Sequence, residues 1–388
     1  MFLVDKPYVS EFFKKTVRDH KIPIVDTPSL KDISLYEGTN IITEEQAVEL
    51  VKKDDSVPIY CVSENSISWI ITRLYFTDLP KKIEFFKDKI KFRRLIRPLF
   101  PDFYFKELSL DELDKVDLNN IPLPFIIKPA VGFMSIGVHK VSSYEQYKEI
   151  IKSINQEIES SCKLYPPEVL DKTKFIIEEY INGDEFAIDA YYDSFGKIRI
   201  FNIFNHVFSS DSDVRDRLYI SSKRIIEENL EDFSKVLQDI GKLTDIKTFP
   251  VHVELRRDNN NLMPLEINPM RFGGWCTTPD ITYLSYGFNP YVYYYSQKFP
   301  DWQKILKEKD DKIFAIIVLD NSTGIPGDKI KSFNYEKLLS RFEKPLELRK
   351  VDFKKFPLFG ILFTETREDN FDELKYILNS NLSEFIHV

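Results

Sequence analysis

The sequence predicts a multidomain protein that combines α/β and α+β architecture, and three observations support this class. The chain has 388 residues, and because domains average about 150 residues, two or three packed units are expected. Apolar residues make up 43% and aromatic residues 14% of the sequence, which favours aromatic-rich cores over disorder. The order of strand-like and helix-like segments also changes along the chain and divides it into three parts.

The first part, residues 1–87, alternates short apolar runs with helical patterns. The apolar runs are Phe2–Val4, Ile22–Val25 and Ile59–Val62, and the helical patterns are Ser10–Asp19 and a segment from Thr43. This alternation is typical of a small parallel α/β unit. Gln46 follows Thr43 by three residues, which is a capping-box pattern and predicts the start of a helix.

The second part, residues 88–312, is predicted to be an α+β body. A helix is expected to begin near Asp88 and to end before Pro98 or Pro101, and another to run from Ser143 toward Ile154. The remaining pattern is rich in strands. The predicted strands are Phe125–Pro129, Phe175–Ile181, Glu185–Tyr192, Lys197–His206, Pro250–Arg256 and Met263–Asn268.

The third part, residues 313–388, follows a charged segment, Lys304–Lys312, that suits a linker or a solvated helix end. Its elements have the order strand, helix, strand, strand, helix, strand, which predicts a ferredoxin-like βαββαβ module of open function. The predicted elements are Phe314–Leu319, Tyr335–Phe342, Leu346–Phe353, Phe359–Thr364, Phe371–Leu378 and Glu384–Val388.

Polar side chains collect on one face of two predicted strands in the second part. Side chains alternate between the faces of a strand, so Glu254 shares its face with His252, while Glu266 and Asn268 share theirs. The turn-forming run Arg257–Asn261 predicts a hairpin that brings these faces together. Two carboxylates and an amide suit Mg²⁺, which completes its shell with water and substrate phosphates. The alternative is an exposed strand face with ordinary charges.

A second polar segment lies upstream. Lys128 ends an apolar strand and precedes a loop in which Gly132 and Gly137 permit close backbone approach, so that backbone N–H groups could meet phosphate. The loop lacks the Walker pattern, and a turn between two strands is the alternative explanation.

The order Glu254, Glu266-Ile-Asn268-Pro, Arg271 and Gly273-Gly274 resembles the metal-binding end of the ATP-grasp superfamily. Members of this family join a carboxylate to an amine, using ATP and Mg²⁺, through an acyl phosphate. The resemblance covers residues 88–300 and implies a core of two α+β subdomains, with a lid over about residues 125–180. It further implies that Glu266 bridges two Mg²⁺ ions, with Mn²⁺ as an alternative, and that Glu254 and Asn268 each hold one.

The resemblance also implies a nucleotide site. Lys128 would contact phosphate together with Lys89, for which Lys91 is a competing choice, and the loop with Gly132, Ser135 and Gly137 would cover the phosphates. In the segment from Glu178, the Glu179 carbonyl and the Ile181 N–H would form hydrogen bonds with adenine. Glu185 would accept hydrogen bonds from the ribose hydroxyls. A solvated strand end is the alternative for Glu178 and Glu179.

Together these features predict an ATP- and Mg²⁺-dependent ligase that forms a C–N bond between a small-molecule carboxylate and an amine. Arg271 would face the acyl phosphate or the substrate carboxylate. His252 is a second catalytic candidate, with a structural histidine as the alternative. Arg215 and Arg217 could reach phosphate or pair with their neighbouring acids. The rival functions are a non-catalytic nucleotide-binding or sensing protein and another ATP-grasp phosphoryl-transfer chemistry.

Charge and composition exclude other classes of partner. The net charge of −8 and a pI near 5.4 predict no binding to nucleic acid or to anionic membranes. Three cysteines, Cys61, Cys162 and Cys276, fit neither a disulfide framework nor a zinc cluster. With no leader pattern and no apolar run of about 18 residues, a cytoplasmic protein is expected, and its oligomeric state is left open, with a homodimer considered.

Overall fold

The computed structural model describes residues 1–131, 137–161, 174–210, 213, 215–259 and 261–388. Gly132, Ser135 and Cys162 therefore lie outside the described residues. The strands are β1 (Phe2–Leu3), β2 (Ile24–Val25), β3 (Ile41–Ile42), β4 (Tyr60–Cys61), β5 (Phe105–Ser109), β6 (Phe125–Pro129), β7 (His139–Val141), β8 (Lys174–Glu179), β9 (Asp184–Tyr192), β10 (Ile198–Val207), β11 (Leu218–Ser222), β12 (Phe249–Asp258), β13 (Asn261–Pro269), β14 (Lys312–Asp320), β15 (Ser332–Phe333), β16 (Lys344–Lys350), β17 (Leu358–Arg367) and β18 (Ile386–His387). The α-helices are α1 (Glu11–Asp19), α2 (Glu44–Lys53), α3 (Ile67–Arg73), α4 (Leu79–Lys87), α5 (Lys89–Ile96), α6 (Tyr147–Ser161), α7 (Lys223–Thr244), α8 (Thr277–Tyr286), α9 (Pro290–Tyr295), α10 (Trp302–Ile305), α11 (Tyr335–Leu339) and α12 (Asp372–Asn379).

The N-terminal strands form a parallel sheet in the order β3-β2-β1-β4. Helix α1 begins where the Ser10 hydroxyl accepts from the Phe13 N–H, and the capping box of Thr43 and Gln46 opens α2 as predicted. Because the strands are parallel, the chain leaves β4 at the same edge as the other strands, where ligands usually bind in such sheets.

A small antiparallel sheet carries the predicted lid region, with the strand order β5-β8-β6-β7. Helix α6 covers one face, where Phe125 and Ile127 pack with Ile151. Alternation along β6 and β8 turns Lys128 and Glu178 to the opposite face. The sheet therefore has one apolar face toward its helix and one polar face toward the rest of the protein.

Eight strands of the described chain form the main sheet, in the order β13-β12-β9-β10-β11-β14-β17-β16. Helix α7, with 22 residues, packs against β10 and β11 and was not predicted. Its buried residues include Ile226, Phe233, Leu237 and Ile240, a helical spacing that identifies the amphipathic face. No helix in the described residues is long and apolar enough to cross a bilayer.

An aromatic core joins the N-terminal unit to the main sheet, as the composition predicted. Tyr60 of β4 packs against Phe272 with ring centroids 5.1 Å apart. The Tyr294 hydroxyl donates to the Ile59 carbonyl at 2.8 Å. The aromatic run from Tyr291 to Tyr295 lies in the packed helix α9. Cys61 and Cys276 are buried free thiols.

The C-terminal part has the predicted elements in the predicted order, with the short strand β15 in addition, but not the predicted ferredoxin-like pairing. That module would place its last strand, β18, beside its first, β14. Within the described residues, β14 instead pairs with β11 and β17, and β18 pairs with the short strand β15. The edge that a ferredoxin-like module would use is occupied by β11. The strands after residue 312 therefore extend the main sheet, and the prediction of ferredoxin-like strand pairing was wrong.

Candidate active site

The hairpin of β12 and β13 brings the predicted metal ligands together. Glu254 lies directly opposite Glu266, and His252 lies opposite Asn268. The Asn268 amide nitrogen donates to Glu266 Oε1 at 3.1 Å. Val253 of β12 is fully buried on the other face, so packing fixes the direction of the polar side chains.

A bulge interrupts the hairpin register between Glu254 and Leu255. Beside it, the Pro264 carbonyl accepts from Arg93 Nη1 at 2.5 Å and the Leu265 carbonyl from Nη2 at 3.3 Å. Arg93 belongs to α5 and is 2% exposed. Helix α5 is thereby bound to the outer edge of the main sheet, next to Glu254 and Glu266, the acidic pair of the hairpin.

The two carboxylates of the hairpin have opposite pKa shifts. Burial and the charge of Glu266 raise the pKa of Glu254 well above its usual value. Burial also acts to raise the pKa of Glu266, but Lys89 and Lys128 outweigh it, and this pKa lies below its usual value. Repulsion between the carboxylates is the condition that a divalent cation would relieve.

The donor set fits Mg²⁺ in this arrangement. The described residues contain no cluster of three His, Cys, Asp or Glu side chains suited to a metal. Two carboxylates and the Asn268 amide oxygen leave several positions of an octahedron for water and phosphate. Such a site would bind metal best together with a nucleotide.

The structure brings Lys89, and not Lys91, to this pair. Asp88 caps α5 by accepting from the N–H groups of Ile90 and Lys91. Lys89 Nζ lies 3.1 Å from Glu266 Oε2, and its backbone N–H donates to the Ala130 carbonyl at 2.8 Å. The Lys91 ammonium pairs with Glu84, with a side chain that is 40% exposed.

Glu178 is a buried anchor and not a solvated strand end. It is 2% exposed, and its carboxylate accepts from Arg93 Nε at 2.8 Å and pairs with the Lys128 ammonium. Burial would raise the pKa of Glu178, but Arg93 and Lys128 outweigh it and lower the value to about 2. The carboxylate therefore orients Lys128 and links the lid sheet to α5.

The segment from Glu179 to Glu185 connects the lid sheet to the main sheet. The Glu179 N–H donates to the Tyr104 carbonyl at 3.1 Å, and the Ile181 carbonyl accepts from Arg256 Nη1 at 2.6 Å. At Gly183, φ is +100° and a Cβ would lie 2.1 Å from the Arg257 carbonyl oxygen. Only glycine fits this close approach of the two backbones.

Glu185 is engaged by both neighbouring strands. It accepts from Arg256 Nε and Nη2 at 3.1 and 3.0 Å, and it lies 3.0 Å from His206 Nδ1. Burial acts to raise its pKa, but His206 and Arg256 outweigh burial and lower it. The carboxylate is therefore ionised, and its predicted contact with ribose would add to these bonds.

Arg271 is paired with Glu64, an acid that the sequence analysis did not single out. Arg271 Nε and Nη2 donate to Glu64 Oε1 at 3.1 and 2.7 Å, while Lys87 Nζ donates to Glu64 Oε2 at 2.6 Å. Glu64 follows β4 at the carboxyl edge of the parallel sheet, and that position is the signal that could have found it.

His252 is held by a second acid that the sequence analysis missed. Its Nδ1 lies 2.7 Å from Asp189 Oδ1, and Asp189 is fully buried in β9. The same carboxylate accepts from the Gly273 N–H at 2.9 Å and from the Thr278 hydroxyl. A Cβ on Gly273 would lie 2.2 Å from Thr278 Oγ1. Because a carboxylate oxygen accepts hydrogen bonds, the contact with Asp189 Oδ1 favours the His252 tautomer with its proton on Nδ1.

Three further candidates have different surroundings. The Gly137 N–H donates to Glu157 Oε2 of α6 at 3.1 Å. Arg215 pairs with Asp213 at 2.8 Å. Arg217 is 1% exposed and pairs with Asp320 of β14. Arg215 therefore follows the alternative in which it pairs with a neighbouring acid, whereas the partner of Arg217 is an acid distant in sequence.

Comparisons with known proteins are consistent with this geometry. Residues 121–279 match the model of the family described as ATP-grasp domain. Among curated proteins, none matches this chain. An L-amino acid ligase from Bacillus licheniformis has a similar structure, with a TM-score of 0.68 and 16% identity over 100% of this chain and 97% of that chain.

Two other solved structures are similar over the full length. A biotin carboxylase from Campylobacter jejuni, in complex with β-γ-ATP, has a TM-score of 0.60 and 13% identity, covering 100% of this chain and 91% of that chain. An N5-carboxyaminoimidazole synthase from Aspergillus clavatus, in complex with ADP and 5-aminoimadazole ribonucleotide, has a TM-score of 0.62 and 12% identity, covering 99% and 98%. At these identities the likeness shows the fold. Residues 121–279 form an ATP-grasp domain, and the resemblance to the ATP-grasp superfamily is confirmed.

Proposed function

We propose that this protein is an ATP- and Mg²⁺-dependent ligase that joins a small-molecule carboxylate to an amine through an acyl phosphate. The observation that carries the proposal is the contact between the acidic pair and the lysines. Lys89 Nζ lies 3.1 Å from Glu266 Oε2, and Lys128 lowers the pKa of the same carboxylate. The proximity of Lys89 and Lys128 to Glu266 supports the proposal that metal and phosphate bind together between the lid sheet and the main sheet.

Each group has a role in holding the nucleotide. Bound MgATP supplies the phosphoryl group that activates the carboxylate. Glu254, Glu266 and Asn268 would hold Mg²⁺, as two ions, with Mn²⁺ as an alternative, and the metal would offset charge on the phosphates. Lys89 and Lys128 donate to phosphate oxygens as compact cations. The Glu179 carbonyl, the Ile181 N–H and Glu185 contact base and ribose, and the loop from Gly132 to Gly137 covers the phosphates.

The reaction then has two balanced steps. A carboxylate oxygen of the substrate attacks the γ-phosphorus, and ADP leaves. The amine nitrogen attacks the acyl carbon, phosphate leaves, and the amine loses a proton. Arg271 donates to the anionic oxygens during both steps, in an orientation set by Glu64. His252, oriented by Asp189, stabilises the oxyanion or accepts the proton. Positioning and charge stabilisation supply the catalysis.

Two other functions remain as alternatives. A non-catalytic nucleotide-binding protein would keep the lysines and lose turnover, but both acids, the amide and Arg271 are present. Another ATP-grasp phosphoryl-transfer chemistry is favoured by the likeness to the biotin carboxylase. We also propose three domains, at residues 1–87, 88–312 and 313–388. A cytoplasmic location and a homodimer are further proposals to test.

The proposal is tested by release of ADP and phosphate from MgATP across a matrix of carboxylic acids and amines. Release should require one acid and one amine. The variant Glu266→Gln should lose at least about 100-fold in turnover, because its carboxylate no longer holds the metal, while circular dichroism shows a folded protein. Glu84→Gln is the matched control, since Glu84 is a surface acid with a side chain 59% exposed. Equal turnover in the two variants, or release without an amine, would contradict the proposal.

A further inference from the structure

Arg349 of β16 is a buried arginine whose three guanidinium nitrogens all donate hydrogen bonds. It is 5% exposed. Nη2 donates to Asp280 Oδ2 of α8 at 2.6 Å, and Nε donates to Glu347 Oε1 at 2.6 Å. Nη1 donates to the carbonyls of Trp275 and Cys276 at 3.2 and 3.4 Å. A residue of the C-terminal part thus binds the turn that follows Arg271.

The turn that Arg349 binds has an unusual backbone. Trp275 has φ 55° and ψ 28°, and Cys276 has φ 56° and ψ 22°. For a residue with a side chain, the left-handed conformation is unfavourable, and two in succession need external support. Arg349 supplies that support at the carbonyl groups of these same two residues.

The other end of this turn is tied to the candidate active site. The Gly273 N–H donates to Asp189 Oδ1 at 2.9 Å, and the same oxygen lies 2.7 Å from His252 Nδ1. Arg271 lies two residues before Gly273. The turn is therefore held by a buried anion on one side and by a buried cation, Arg349, on the other.

The contacts around Arg349 join three parts of the chain. Its guanidinium lies over the ring of Tyr8 at 5.6 Å and over that of Phe363 at 4.5 Å. Its partner Asp280 is 1% exposed and also accepts from the Tyr291 hydroxyl at 2.9 Å. Asp280, the buried acid that faces Arg349, is thus held by a second hydrogen bond, which limits the orientation of the guanidinium.

We infer that Arg349 is a positioning residue for the proposed ligation, which acts by fixing the turn Gly273–Cys276 and, through it, Arg271 and His252. The inference rests on the proposed function. It gives the C-terminal part a role in turnover, because β16 carries the side chain that holds the turn next to the candidate site.

The chain offers a matched control in Arg217. This arginine is also buried, and Nε donates to Asp320 Oδ1 at 2.6 Å. Like Arg349, it binds two backbone carbonyls, those of Ile377 and Ser380. These carbonyls belong to the end of α12, so the interaction holds the C-terminal helix and not the turn after Arg271.

The test compares Arg349→Lys with Arg217→Lys. Lysine keeps the charge for the buried acid but lacks the planar fork that reaches two carbonyls. Arg349→Lys should lose about 100-fold in kcat, the cost of a small misplacement, with KM for MgATP within about 2-fold of wild type. Arg217→Lys should keep kcat at a temperature where both variants are folded. Equal kcat in the two variants would overturn the inference.

A double variant separates folding from positioning. Replacing both members of a buried ion pair is far less disruptive than removing one of them. Arg349→Met with Asp280→Asn should therefore recover thermal stability relative to Arg349→Met alone, yet remain as slow in kcat as Arg349→Lys. Recovery of kcat together with stability would assign Arg349 a purely structural role and overturn the inference.

A fluorescence measurement tests the inference independently of turnover. With Trp69→Phe and Trp302→Phe as the background, Trp275 is the only tryptophan that remains. Its emission and acrylamide quenching should change in Arg349→Lys and not in Arg217→Lys. Absence of wild-type turnover would overturn the proposed function alone, and an unchanged Trp275 signal in Arg349→Lys would overturn the inference alone.

Discussion

At the scale of single residues, two lysines of α5 show how the structure selects between equivalent sequence candidates. Lys89 and Lys91 are two positions apart, so they point to different sides of a helix. The Asp88 cap fixes where the helix begins. Lys89 therefore meets Glu266, whereas Lys91 meets Glu84 on the surface.

We predict that Lys89→Met weakens the use of MgATP and that Lys91→Met does not. A hydrogen bond to a charged group contributes about 1.5–3 kcal/mol, which corresponds to a change of about 10-fold to 100-fold in kcat/KM for MgATP. Steady-state kinetics of both variants would measure the difference. Comparable losses in the two variants would contradict the placement of Lys89 in the phosphate site.

The partners of Glu64 and Asp189 could not be predicted from the sequence. Glu64 binds Arg271 and Asp189 binds His252, both far along the chain. Alternation along a strand predicts which face a side chain occupies, but not which strand lies beside it. The position of Glu64 after β4 was a signal for a site residue, whereas Asp189 could be identified only when the order of strands in the main sheet was known.

At the scale of elements, the polar hairpin was the most predictable part. The period of two along β12 and β13 placed Glu254, Glu266 and Asn268 on one side, and the structure pairs them there. The bulge at Leu255 and the contact of Arg93 with β13 were not predicted. A bulge depends on the fit between two strands, which neither strand shows alone.

The pairing of the last strands could not be predicted from the sequence either. The main elements in residues 313–388 were predicted in the right order apart from the short strand β15, but β14 has β11 as its neighbour and not β18. The order of elements along the chain does not show which edge of a strand is free to pair. The ferredoxin-like pairing was predicted for this reason.

We predict that Glu178→Gln destabilises the connection of the lid sheet to α5. The cations Arg93 and Lys128 lower the pKa of Glu178 from 4.5 to about 2 despite its burial, a shift worth about 3 kcal/mol of folding free energy. A lowered pKa stabilises the fold above about pH 4.5, and this stabilisation is lost as the pH falls toward 2.

Urea unfolding at pH 7 should therefore show a loss of about 3 kcal/mol in Glu178→Gln. Between pH 5 and pH 3 the wild-type protein should lose more stability than the variant, because only the wild type has this carboxylate to protonate. Parallel pH profiles for the two proteins would contradict the assignment of Glu178 as a buried, ionised anchor.

At the scale of the whole molecule, the candidate site draws on all three parts of the chain. The N-terminal unit provides Glu64, the ATP-grasp domain provides the acidic pair and Lys128, and β16 provides Arg349 behind the turn. The sequence indicated the superfamily because its motifs follow one another in the expected order. It did not indicate substrates, because these depend on surfaces between the parts.

In the proposed reaction, the carboxylate substrate passes through an acyl phosphate. The most direct test uses the acid found in the substrate matrix, labelled with ¹⁸O in its carboxylate, and mass spectrometry of the phosphate released during turnover. Transfer of one ¹⁸O atom into each phosphate is the result we predict, since the carboxylate oxygen attacks phosphorus and leaves with it. Unlabelled phosphate would mean that water attacks ATP, and it would contradict the ligase account.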